Sequence, residues 1–120
     1  MTDKKPTGLP RLIKAFGYSY DGLKAAYASE AAFRQELVLL AVGVSTACLL
    51  DVSAIARAVM IGSLLLILLV EIINTAIEAT IERISADQHP LSKQAKDLGS
   101  AAVLISLVHA TVIWVVILTG

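Results

Sequence analysis

Apolar residues fall into four blocks along the chain, and their spacing separates one block from the other three. Over about Leu9–Tyr27 the apolar positions Leu9, Leu12, Ile13, Phe16, Tyr20, Leu23 and Tyr27 recur at three- and four-residue steps. Arg11, Lys14, Asp21 and Lys24 fall mostly elsewhere, so the spacing predicts an amphipathic helix. A basic face opposite an aromatic and aliphatic stripe suits a helix lying at the headgroup boundary of a bilayer. The same pattern also fits a helix packed on a soluble core, and the rest of the chain favours the interfacial reading. The second block, about 31–50, ends in fourteen uncharged residues, Leu37–Leu50. A hydrocarbon core of ~30 Å needs about 20 residues of helix, so the span must begin near Ala31. That places Arg34, Gln35 and Glu36 just inside one boundary. The third block, about 53–84, is uncharged from Ala58 to Val70, and the fourth, about 91–119, carries no acidic or basic group other than His109 between Leu98 and Thr119.

The predicted fold is therefore an all-α membrane protein: one amphipathic surface helix followed by three transmembrane helices. Composition agrees, since 57% of the 120 residues are hydrophobic against a usual 45–50% for soluble domains. Met1–Pro10 is polar and has no apolar signal-peptide core, so insertion is expected to use the internal segments. Lys4, Lys5, Arg11, Lys14, Lys24 and Arg34 precede the first span, and Arg83, Lys93 and Lys96 lie between the second and third. This bias predicts a cytoplasmic N-terminus and 82–97 connection, with Gly120 outside. Pro90 is expected in a turn or in the first turn of the last helix. A formal charge of zero removes the basic footprint of a nucleic-acid binder. Cys48 is the one cysteine, which excludes an intrachain disulfide, and its apolar neighbours predict that it packs.

Candidate chemistry sits on the third block. Glu71, Asn74 and Glu78 are spaced i, i+3, i+7 and share one helix face. A charge at bilayer centre costs about 2.5–3.5 kcal/mol even on the lenient insertion scale. At about 1.5 Å rise per residue, Glu71 lies roughly 20 Å and Glu78 roughly 30 Å along the helix from Ala58. The stripe thus runs from inside the bilayer to its cytoplasmic edge, as an enzyme taking one substrate from lipid and another from water would need. Glu30 and Glu36 flank the start of the first span, and Lys96, Asp97 and Ser100 stand at the start of the last. Carboxylates from different helices suit Mg²⁺, which takes one or two protein oxygens plus phosphates, and basic groups suit polyphosphate. No P-loop, G-x-G-x-x-G turn, protein-kinase landmark or zinc spacing is present. A proton-relay or ion-pathway subunit is the reading from a different class, but it requires a polar line through the apolar stretch Ala58–Val70.

Glu30–Glu36 (EAAFRQE), Glu71–Ala79 (EIINTAIEA) and Ala95–Leu104 (AKDLGSAAVL) resemble the prokaryotic diacylglycerol kinases, and the similarity extends from Arg11 to the C-terminus in order and spacing. The resemblance implies a bacterial inner-membrane homotrimer with composite sites between subunits, phosphorylating diacylglycerol to phosphatidic acid with ATP and Mg²⁺. It implies Glu71 as the base for the lipid hydroxyl, supported by Asn74, and Glu30 and Glu78 as ligands of the divalent ion. Nucleotide contacts are implied for Arg11, Tyr18, Glu30, Glu78, Asp87, Gln88, His89, Lys96 and Asp97. The lipid site would be lined by Arg11, Ala15, Tyr18, Ser19, Tyr20, Lys24, Tyr27, Arg34, Gln35, Glu36, Glu71 and Ser100. Tyr20 replaces a common tryptophan, Glu82 a common aspartate and His109 a usual aliphatic. His109 is expected to be a neutral packing or hydrogen-bonding group. An undecaprenol kinase of the same superfamily, sharing the acidic stripe, remains the neighbouring alternative.

Overall fold

The computed structural model describes residues 7–84 and 89–120. Among the described residues four α-helices follow one another: α1 (Gly8–Ser29), α2 (Ala31–Leu49), α3 (Ala54–Ile84) and α4 (Pro90–Thr119). The last three are long and apolar enough to cross a membrane. The chain divides into two compact units, one ending at Ala31 and the other beginning at Ala32.

The first unit is essentially α1. Its stripe of Leu9, Leu12, Ile13, Phe16, Tyr20, Leu23 and Tyr27 is exposed along its whole length. An exposed apolar stripe on a helix with Arg11, Lys14 and Lys24 elsewhere on its surface is what a helix seated at the headgroup boundary presents. The helix ends where Glu30 turns extended, its backbone N–H donating to Ala26 O.

In the second unit α3 is the central element. Its buried positions Met60, Ser63, Leu64, Ile67, Glu71 and Asn74 follow three- and four-residue steps, so one face is inside from end to end. Antiparallel to it runs α4, whose buried face is made of small residues, Gly99, Ser106 and Ala110. Small residues let two backbones approach closely where lipid supplies no hydrophobic drive for helix association. At one end Trp114 of α4 donates its indole N–H to Ser63 Oγ (3.2 Å) and Met60 O (3.3 Å). Between the ends, Leu64 and Ile67 pack on Ala110, with Leu40 and Val44 of α2 and Trp114 against them. Helix α2 reaches this core at Gly43, where an added Cβ would overlap Leu64 Cδ1.

The turn from α2 to α3 is held by Arg57. Its Nε donates to Ala47 O (2.9 Å) in the last turn of α2 and its Nη2 to Leu50 O (3.1 Å) and Val52 O (3.3 Å) in the connection, which places a cation at the C-terminal end of α2. Ser53 Oγ accepts from Ala56 N at 3.1 Å and opens α3. The start of α4 is capped in turn by His89, whose Nδ1 accepts from Leu91 N at 3.1 Å, with Pro90 in the first turn.

One expectation differs. Cys48 does not pack within the chain: it is exposed on α2, one residue beyond the buried Ala47, because the inward face of that helix is carried by Phe33, Gly43 and Ala47. His109 is exposed on the single chain, since its neighbour Ala110 occupies the inward position on α4.

Candidate active site

The buried face of α3 changes character along its length. From Met60 to Ile67 it is apolar apart from Ser63. From Glu71 onward it is polar, with Glu71 6% and Asn74 8% exposed and Glu78 half-buried one turn further. Nothing in the backbone marks the change; the same heptad-like spacing simply carries acids and an amide instead of aliphatics. Asn74 Nδ2 donates to Glu78 Oε1 at 3.4 Å, a long bond that sets the orientation of the carboxamide. Asn74 Oδ1 then points at α4, and it meets the backbone at Gly99, where an added Cβ would overlap it. That oxygen is buried and accepts no hydrogen bond.

Glu36 joins this group from α2. It is half-buried, its Oε2 is buried without a hydrogen-bond donor, and its charge interacts with that of Glu71. Glu36, Glu71, Asn74 and Glu78 therefore form one cluster built from two helices, at the end of the bundle opposite to Trp114. Two buried oxygens without donors, among carboxylates, call for a hydrogen-bond donor or a cation. Among the described residues no three histidine, cysteine, aspartate or glutamate side chains converge as a metal cage. A hard ion that completes its shell with phosphate and water still fits such a face, because every donor on it is a carboxylate or carboxamide oxygen.

Other predicted site residues take different positions. Lys96, Asp97 and Ser100 are exposed near the start of α4, and Asp97 accepts from Lys93 Nζ at 2.6 Å in an i, i+4 pair. Arg34 and Gln35 are exposed on the first turns of α2. Arg11, Ala15, Tyr18, Ser19, Tyr20, Lys24 and Tyr27 are exposed on α1, with Ser19 Oγ donating to Ala15 O at 2.9 Å. Glu30 is the C-cap of α1 and His89 the N-cap of α4. Asp87 and Gln88 lie outside the described residues. An unpredicted participant is Gly99. The only signal for it in the sequence is a glycine one heptad before the inward Ser106.

The profile of the prokaryotic diacylglycerol kinase family matches residues 17–118, nearly the whole of this arrangement. The chain belongs to the prokaryotic diacylglycerol kinase family. It is 53% identical over 112 residues to the diacylglycerol kinase of Escherichia coli K12, covering 93% of this chain and 92% of the relative. It is also 53% identical over 117 residues to that of Pseudomonas aeruginosa, covering 98% and 95%. The diacylglycerol kinase of Helicobacter pylori 26695 is 41% identical over 110 residues, covering 92% and 86%. As a member of this kinase family the chain is a phosphotransferase and, with three membrane-crossing helices, an integral membrane protein. The family's matched region contains Glu36, Glu71, Asn74 and Glu78, so the two-helix cluster lies inside the matched part of the chain.

Proposed function

We propose that this kinase transfers the γ-phosphoryl group of ATP to the free hydroxyl of diacylglycerol, forming phosphatidic acid and ADP at the cytoplasmic edge of the bacterial inner membrane. The observation that carries the reading is the α3 face on which buried Glu71 and Asn74 pass into half-buried Glu78. A lipid hydroxyl arrives from the apolar side of Glu71, and a polyphosphate arrives from the Glu78 side. Glu71 accepts the proton of the hydroxyl as its oxygen bonds to the γ-phosphorus and the bond from that phosphorus to the β–γ bridging oxygen breaks, releasing ADP. Asn74 orients the transferring group and Glu78. Glu78, together with Glu30, which rests on the family resemblance alone, supplies carboxylates for Mg²⁺. When bound, that ion neutralises phosphate charge and helps position the nucleotide. Arg11, Tyr18, Lys96 and Asp97 contact the nucleotide on the same resemblance, and the exposed faces of α1 and the start of α2 receive the lipid.

The excess of lysine and arginine before α2, at the end of α3 (Arg83) and in the first turns of α4 (Lys93 and Lys96) supports a cytoplasmic N-terminus and an external Gly120. A homotrimer is the proposed working unit. His109 supports it, because an ionisable residue exposed in mid-span is better covered by protein than by acyl chains. The test is Mg·ATP-dependent phosphorylation of diacylglycerol and of undecaprenol, side by side, by purified protein in mixed micelles. Selective formation of phosphatidic acid is expected. Preference for undecaprenol would assign the chain a different lipid within the same chemistry.

A further inference from the structure

We propose that Gly99 of α4 is a positioning residue for the transfer reaction: the absence of a side chain there seats the Asn74 carboxamide and keeps its Nδ2 directed at Glu78. The inference rests on the functional reading above, in which Asn74 and Glu78 serve the reaction.

The geometry is specific to this glycine. A Cβ built on Gly99 would overlap Asn74 Oδ1, would stand 3.2 Å from Asn74 Cγ and would touch its Cβ at 3.9 Å, so the carbonyl side of the carboxamide occupies the place of the missing side chain. Both residues are buried, which leaves the amide little free volume into which to retreat. Turning the amide over offers no relief. Glu78 Oε1 requires a donor, so Nδ2 must stay on that side, and an inverted amide would put the carbonyl oxygen against a carboxylate. Displacing it along the helix also fails, because the Nδ2–Oε1 separation of 3.4 Å is already near the limit of a hydrogen bond. Any side chain at 99 therefore moves Asn74 and breaks its hold on Glu78.

Gly43 provides the contrast. There an added Cβ would meet Leu64 Cδ1, the far end of a flexible aliphatic side chain in an apolar contact with no polar partner to lose. Both glycines allow close helix approach; only Gly99 faces the polar stripe.

The test compares Gly99→Ala, Asn74→Ala, their combination and Gly43→Ala in micelles. Its readouts are steady-state kinetics, thermal unfolding and the side-chain amide resonance of Asn74 in nucleotide-free protein. Gly99→Ala is expected to shift or broaden the Asn74 amide resonance and to lower kcat by about 10²-fold, the scale on which an ångström of misplacement acts. KM for diacylglycerol should stay unchanged. In the Asn74→Ala background the added alanine should cost nothing further, because the clashing oxygen is gone. Gly43→Ala should leave the Asn74 resonance and kcat where they are. Wild-type kcat with an unmoved resonance in Gly99→Ala would overturn the proposal. So would a loss of activity that is equally large with and without Asn74, since that marks a packing role. If the wild-type protein phosphorylates no diacylglycerol, the functional reading fails, while the resonance still decides whether Gly99 seats Asn74.

Discussion

Glu36 of α2 and Glu71 of α3 stand close enough for their charges to interact, beside the α2–α3 packing in which Leu40, Gly43 and Val44 adjoin Leu64 and Ile67. Two carboxylates brought together away from water carry a cost of desolvation and mutual repulsion. Keeping two together, with Glu36 Oε2 and Asn74 Oδ1 lacking donors, makes stability yield to chemistry at this end of the bundle.

Neutralising the base isolates the chemical step. Glu71→Gln keeps the shape and removes the proton acceptor, so turnover should fall by about 10²–10⁴-fold. Binding of Mg·ATP, followed by equilibrium titration of a fluorescent nucleotide analogue, should persist. Loss of nucleotide binding in parallel with activity would contradict the role given to Glu71.

Glu36 should behave in the opposite sense for stability. Glu36→Gln removes one of two neighbouring like charges and supplies a donor to a buried site, so the folded protein should gain about 1 kcal/mol. Activity should drop, because the electrostatic environment of Glu71 changes. Denaturation in mixed micelles alongside a kinase assay measures both, and a variant that is less stable than wild type would show the pair to be favourable as it stands.

At the far end of the helices Trp114 ties α4 to α3 without entering the polar cluster. Trp114→Phe deletes the indole N–H that reaches Ser63 Oγ and Met60 O, both of which retain their mutual bond of 2.6 Å. A stability loss of about 1 kcal/mol is expected. Its kcat should remain that of the wild type once the protein is folded, which thermal unfolding and an assay below the transition will check.

Arg57 carries more. Arg57→Ala releases three backbone carbonyls at the α2–α3 turn, Ala47, Leu50 and Val52, at a cost of about 2–3 kcal/mol. Arg57→Lys should recover only part of it, since an ammonium cannot span the same fork of acceptors. Protease cleavage within residues 50–53 should rise in both variants, most in the alanine form.

Sequence alone decided the elements and the kind of chemistry. Blocks of apolar residues long enough to cross a bilayer, the three- and four-residue rhythm of α1, Pro90 after a charged stretch, and the i, i+3, i+7 spacing of Glu71, Asn74 and Glu78 are all local, and local spacing is enough to place side chains on one helix face. The family wording of the three motifs reaches further and agrees with the matches to known kinases. Tertiary structure decided which faces turn inward and what meets across the helices. Residue spacing could not tell that Cys48 and His109 face out, because a helix apolar all round carries no record of its inner side. Nor could it show that Glu36 and Glu71 come near enough for their charges to interact or that Asn74 leans on Gly99. Those contacts depend on the register between helices, and that register comes from side-chain packing at Gly43, Ser106, Ala110 and Trp114, between residues far apart in the chain.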